Sequence, residues 1–201
     1  MIRCVPEGPG GRACRRLAPL LLAVALAACA GTSGERFYHL DAGPIDSSLS
    51  DYDGDVRVVL QGVPEVVDRP QIVLQGRPNE IEVLENDRWA ESVRSGVTRA
   101  LVQDLGHALP RAWVTAEGPG RGGRAVTVFV QIDLMSGTRA GEVLLAARWL
   151  VRSGEGGAGV ADRLELRRTA PGTPAGIVAA WSAQIAMLAQ AIAHSLPPAA
   201  P

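Results

Sequence analysis

The sequence predicts an α/β sandwich, a mixed and largely antiparallel sheet with two principal amphipathic helices packed on it. Three observations carry this. Apolar residues recur at three- and four-residue steps between Asp87 and Leu109, and again from Ile177 to Ile192. Between these helices Val126, Val128, Val130, Ile132 and Leu134 alternate with Thr127, Gln131 and Asp133, the period-two pattern of a half-buried strand. Ahead of the first helix lie several short β-branched runs bounded by Gly, Pro, Asp and Asn.

The elements follow in chain order. Phe37-Tyr38-His39-Leu40 reads as a first short strand, and the Asp-, Ser-, Gly- and Pro-rich stretch 41–54 as a connecting loop. Strands follow at Val56–Leu60, Gln71–Gln75 and Ile81–Leu84, the last two separated by Gly76 to Asn79. Asp87 is placed to cap the first helix, and Pro110, which has no amide hydrogen, to end it. A short strand near Trp113 and the glycine-rich segment Gly118 to Gly123 lead into the alternating strand. Ser136-Gly137-Thr138 turns the chain, and Glu142–Arg152 and Leu164–Arg168 complete an antiparallel meander over 125–168. Thr173 caps the second helix with Pro174 at its first position, and Pro197-Pro198 stops it.

The N-terminus states where the chain works. Arg15 and Arg16 precede the apolar run Leu17 to Ala28, too short to span a bilayer, and Leu26-Ala27-Ala28-Cys29 closes it as a bacterial lipoprotein signal does. Residues 1–28 are expected to be a signal peptide, with Cys29 diacylated and 29–36 a tether. Residues 37–196 form one domain and 197–201 a tail. Two or more acyl chains hold a protein to a membrane stably, so the mature chain is anchored and does not span. Ala30 and Gly31 lack the aspartate that retains lipoproteins in the inner membrane in enteric-type sorting, which favours the periplasmic face of the outer membrane.

Composition excludes several functions. The leader carries four of the 20 arginines and one of the 21 acidic residues, so the 173 residues from Cys29 onward have net charge −4, no footprint for nucleic acid. Lysine is absent, which removes P-loop and Schiff-base chemistry. Cys4 and Cys14 leave with the leader and Cys29 takes lipid, so neither a disulfide nor a thiolate metal site is expected. No zinc-binding, nucleophile-elbow or dinucleotide motif occurs. His39, His107 and His194 read as structural, the last two complementing helix C-termini. A hydrolase would have to assemble from residues such as Ser182, His194 and Asp133. Trp149 and Trp181 fall on apolar faces and read as core, whereas Trp89, flanked by Arg88 and Glu91, reads either as a core anchor or as a partner contact.

Several segments, in order, resemble the ABC-type transport auxiliary lipoproteins, the group of the paraquat-inducible protein C lipoprotein. They are the signal ending at Cys29, the strand Phe37-Tyr38-His39-Leu40, Asp68-Arg69-Pro70-Gln71-Ile72-Val73, Asn86-Asp87-Arg88-Trp89-Ala90-Glu91, and the closing helix Ile177 through Trp181 to Ile192-Ala193. Ser92 stands where the family often has proline, and His39 where it often has a small polar residue. The resemblance implies a three-layer α/β fold and a non-enzymatic subunit without cofactor or metal. Its implied partners are a mammalian-cell-entry (MCE) domain protein and an ABC permease with its ATPase; self-association is compatible with it. Arg88 and Trp89 are then candidate interface residues, with a lipid-carrying module as the alternative role.

Overall fold

The computed structural model describes residues 34–45, 50–118, 120–154 and 159–197. Cys29, the signal peptide, the first part of the tether and all but the first residue of the tail lie outside the described residues. From Glu35 onward the described residues belong to one unit and form eight strands and two helices. In order these are β1 (Arg36–Tyr38), β2 (Asp55–Gly62), β3 (Gln71–Gln75), β4 (Ile81–Trp89), α1 (Val93–Ala108), β5 (Trp113–Thr115), β6 (Ala125–Gly137), β7 (Glu142–Ser153), β8 (Gly159–Thr169) and α2 (Pro174–His194).

The expected mixed α/β sandwich is present, with its strands divided between two sheets. The larger has the order β5-β2-β6-β7-β8, with β2 parallel to both β5 and β6 and the β6-β7-β8 meander antiparallel. The smaller has the order β1-β4-β3, β1 parallel and β3 antiparallel to β4. A single bridge from Gln75 to Thr138 joins the small sheet to the far end of β6.

One face of the large sheet carries the core. Val56, Val58, Val128, Val130, Ile132, Val143, Leu145 and Trp149 pack with Val97, Leu101 and Leu105 of α1 and with Ile177, Trp181, Ile185, Leu188 and Ile192 of α2. Two buried indoles on this face keep their N–H satisfied, Trp149 by Ser195 Oγ at 3.1 Å and Trp181 by the Ser136 carbonyl at 3.3 Å. Helix α2 is long and apolar enough to cross a membrane, but its Gln184 is buried and donates to the carbonyls of Val143 and Leu166 in the sheet. It is a core helix. Thr173 caps it as expected, accepting from the Gly176 amide.

Three local expectations are corrected. Asp87 does not cap α1; β4 runs on to Trp89, and Ser92 caps the helix by accepting from the Ser95 amide at 3.0 Å. Strand pairing with β1 extends β4, because Arg36–Tyr38 aligns with Asp87–Trp89 and supplies hydrogen bonds no local pattern shows. Leu134 does not point inward. A bulge between Ile132 and Leu134 reverses the alternation, leaving Leu134 37% exposed and burying Met135. Strand β8 is also longer than expected, because it pairs with β7 along its whole length.

Candidate functional site

The segment Asn86-Asp87-Arg88-Trp89-Ala90-Glu91 forms a clamp on the leading end of the domain. Asp87 is buried between strands, accepting from Arg36 Nη2 at 3.0 Å and from the Tyr38 hydroxyl at 2.8 Å. Burial and the Asp87 carboxylate push the Tyr38 phenol up, and hydrogen bonding to Asp87 pushes the Arg36 guanidinium up. Arg88 pairs with Glu35 at 3.0 Å. Glu91 holds Arg99 at 2.6 Å, and Arg99 in turn donates to the Leu40 carbonyl at 2.8 Å. Trp89 stacks on Trp181 with ring centroids 5.9 Å apart and is only 7% exposed. Its ring is therefore a core anchor and offers a partner no surface, which corrects its candidacy as an interface residue; Arg88 stays half-exposed in its ion pair.

Beyond the clamp, residues 39–45 lie as a strap across both helices. The Asp41 amide donates to Ser182 Oγ of α2 at 3.1 Å, and the Gly43 amide to Asp104 Oδ1 of α1 at 2.9 Å. Asp104 is fully buried, its second oxygen has no partner, and burial raises its pKa to about 6. Sequence reasoning missed this carboxylate; an acidic residue on an otherwise apolar helix face was the available signal.

The clamp and the glycine-rich connection sit at opposite ends of the large sheet. Arg139, just beyond the end of β6, pairs with Glu82 at 2.6 Å and lies within electrostatic reach of Arg36, which places the leading segment there. Residues 118–123 precede the start of β6, thirteen residues or about 40 Å away. In that connection Gly118, Gly122 and Gly123 all have positive φ, the Gly122 amide donates to Asp55 at 3.1 Å, and Arg121 stacks over the exposed Trp113 ring at 4.4 Å. A carboxylate facing the glycines opposes a phosphate there, and because β5 and β6 both run parallel to β2 on its two sides, the connection is a crossover between non-adjacent parallel strands, which corrects the reading of this stretch as a hairpin.

No catalytic grouping forms from the three residues weighed for it. Ser182 is buried and bonded to the Val178 carbonyl; His194 lies about 18 Å further along α2 and contacts the Gln190 carbonyl; Asp133 pairs with Arg148 on the far side of the sheet. His39 is exposed beside Asp41. Among the described residues no cluster of three His, Cys, Asp or Glu side chains could hold a metal ion.

Among the described residues no helix covers the face of the large sheet turned away from α1 and α2. Strand register aligns Val59, Phe129, Leu150 and Ala161 in one row across β2, β6, β7 and β8. A trough of about 670 Å³ runs over this row, lined by Phe129, Leu150 and Ala161 together with Gln131, Arg148 and Arg152.

The family of the ABC-type transport auxiliary lipoprotein component matches residues 38–193, nearly the whole described unit. The chain belongs to this family. Its members are lipoproteins of ABC-type transport systems, membrane-associated on the periplasmic side. The fold is similar to the crystal structure of an uncharacterized protein, with a TM-score of 0.61 at 18% identity, covering 80% of this chain and 97% of the other. It is also similar to the protein XCC0632 from Xanthomonas campestris, with a TM-score of 0.56 at 11% identity, covering 79% of this chain and 93% of the other. At those identities the likeness shows the fold. No curated protein matches the chain.

Proposed function

We propose that this auxiliary lipoprotein is a non-enzymatic docking subunit of an MCE-type ABC lipid transport system, anchored through Cys29 to the outer membrane and binding the periplasmic MCE component. Family membership supplies the transport context. The observation that carries docking is the uncovered outer face of the large sheet on a domain clamped at one end to its tether. Six residue steps lead from Cys29 to Glu35, a reach of about 20 Å, so the clamped end stays near the membrane while β6 extends about 40 Å from that end. Docking is favoured over lipid carriage because the helix-facing side chains form one contiguous buried cluster, and the trough on the outer face lies open at the surface and does not enclose a ligand.

Co-purification tests this. The lipidated protein solubilised from envelopes in detergent should bring down the MCE protein of the same genome. Cys29→Ala should lose fatty-acid labelling, and a version beginning at Ala30 should still bind the MCE protein yet fail to restore detergent resistance to a deletion strain. Equal labelling of Cys29→Ala, or no association with the MCE protein, overturns the reading.

A further inference from the structure

We infer that the outer face of the large sheet receives an acidic amphipathic helix of a partner protein, its apolar stripe on the row Val59, Phe129, Leu150, Ala161. The inference rests on the docking reading above and adds the chemistry of the partner.

The row is flanked by arginine on both sides. Two residues before it along the strands stand Arg57 and, across from Thr127, Arg152; two residues beyond stand Arg148 and Arg163, which are direct cross-strand partners. All four are exposed. Arg152 lies over the Phe129 ring at 5.9 Å, Arg57 donates to the Gly118 carbonyl at 3.1 Å, and Arg148 shares Asp133 at 3.3 Å. Among the acidic side chains on this face, Asp55 is buried and accepts from the Gly122 amide, Asp133 pairs with Arg148 and Glu142 with Arg167, and Glu165 lies beyond the row; Asp162 also borders the trough, and against it the four arginines beside the apolar row make a local basic strip.

Dimensions select a helix. The two arginine rows are four residues apart along the strands, about 13 Å, close to the roughly 10–12 Å diameter of an α-helix with its side chains. The row crosses three inter-strand spacings, about 14 Å, or between two and three helical turns. Such a helix places carboxylates over both arginine rows while its apolar stripe covers Phe129 and Leu150. The trough lies open along its length, whereas small-ligand sites enclose most of their ligand, so a macromolecular surface fits better than a lipid monomer. The opposite face of this sheet is already covered by α1 and α2, which leaves this face as the one available to a partner.

The test uses the full-length lipidated protein in nanodiscs and fluorescent amphipathic peptides about three helical turns long. One peptide has a leucine stripe flanked by glutamates; the other replaces every glutamate by glutamine. The glutamate peptide should bind at least about tenfold more tightly, and Arg152→Gln with Arg163→Gln should weaken it by about tenfold. Arg77→Gln, in the small-sheet turn, should leave binding unchanged. Phe129→Ser should weaken both peptides. Equal binding of the two peptides, or binding indifferent to the arginine pair, overturns the inference. Displacement of the peptide by soluble short-chain phosphatidylglycerol, with the same arginine dependence, assigns the face to lipid and overturns it as well. Co-purification with the MCE protein persisting after either result leaves the docking reading standing without the helix.

Discussion

Replacing Asp104 by asparagine should raise the stability of the domain at neutral pH and remove a pH dependence between about pH 4 and 6. Asp104 is fully buried on α1 with one hydrogen bond, from the Gly43 amide, and an unpartnered second oxygen. Burial lifts its pKa from 3.8 to about 6. A carboxyl whose folded pKa is raised contributes most below its unfolded pKa, and that contribution is lost as pH rises through 6. Two units at about 1.4 kcal/mol each make the ionised side chain cost about 3 kcal/mol at pH 7. Asparagine keeps the acceptor for Gly43 and carries no charge. Urea unfolding of a version beginning at Ala30, with and without Asp104→Asn, isolates the group, since the exposed carboxylates cancel in the difference. On passing from pH 4 to pH 7 the wild type should lose about 2 kcal/mol relative to the variant, the rest of the roughly 3 having been lost below pH 4, where the unfolded carboxyl ionises. A difference that is flat with pH, or that grows in the opposite direction, refutes the reasoning.

Trp181→Ala removes a side chain that is 1% exposed and stacked on Trp89, and should cost about 3 to 5 kcal/mol, a large share of the usual total of about 5 to 15. An unchanged urea midpoint contradicts this. Gly43→Ala would set its Cβ 2.5 Å from Ala186 Cβ, lifting the strap from α2 at a cost of about 1 to 3 kcal/mol. Limited proteolysis should then cleave within 39–45 sooner than in the wild type; identical cleavage rates would place the strap elsewhere.

What the sequence by itself determined is the set of features written in local pattern. The stripe Ile177, Trp181, Ile185, Leu188, Ile192 and the alternation Val126, Val128, Val130, Ile132 each specify an element and the face it buries, because helix and strand periods differ. The Thr173-Pro174 start is equally local, since a cap acts within one turn. The absence of lysine and of any nucleophile motif likewise needed no fold. Tertiary structure decided the rest. Asp87 read as a helix cap until β1, some fifty residues earlier, paired with β4 and turned it into the anchor of Arg36 and Tyr38. The bulge before Leu134 depends on the register β6 keeps with β7, so the leucine's outward turn had no signal of its own. Trp89 was ambiguous because burial is a property of what packs on a residue, here Trp181, ninety positions away. The arginine-flanked row belongs to the same class. Arg57, Arg148, Arg152 and Arg163 are scattered over three strands, and only the register of β2, β6, β7 and β8 brings them to the two sides of Phe129 and Leu150.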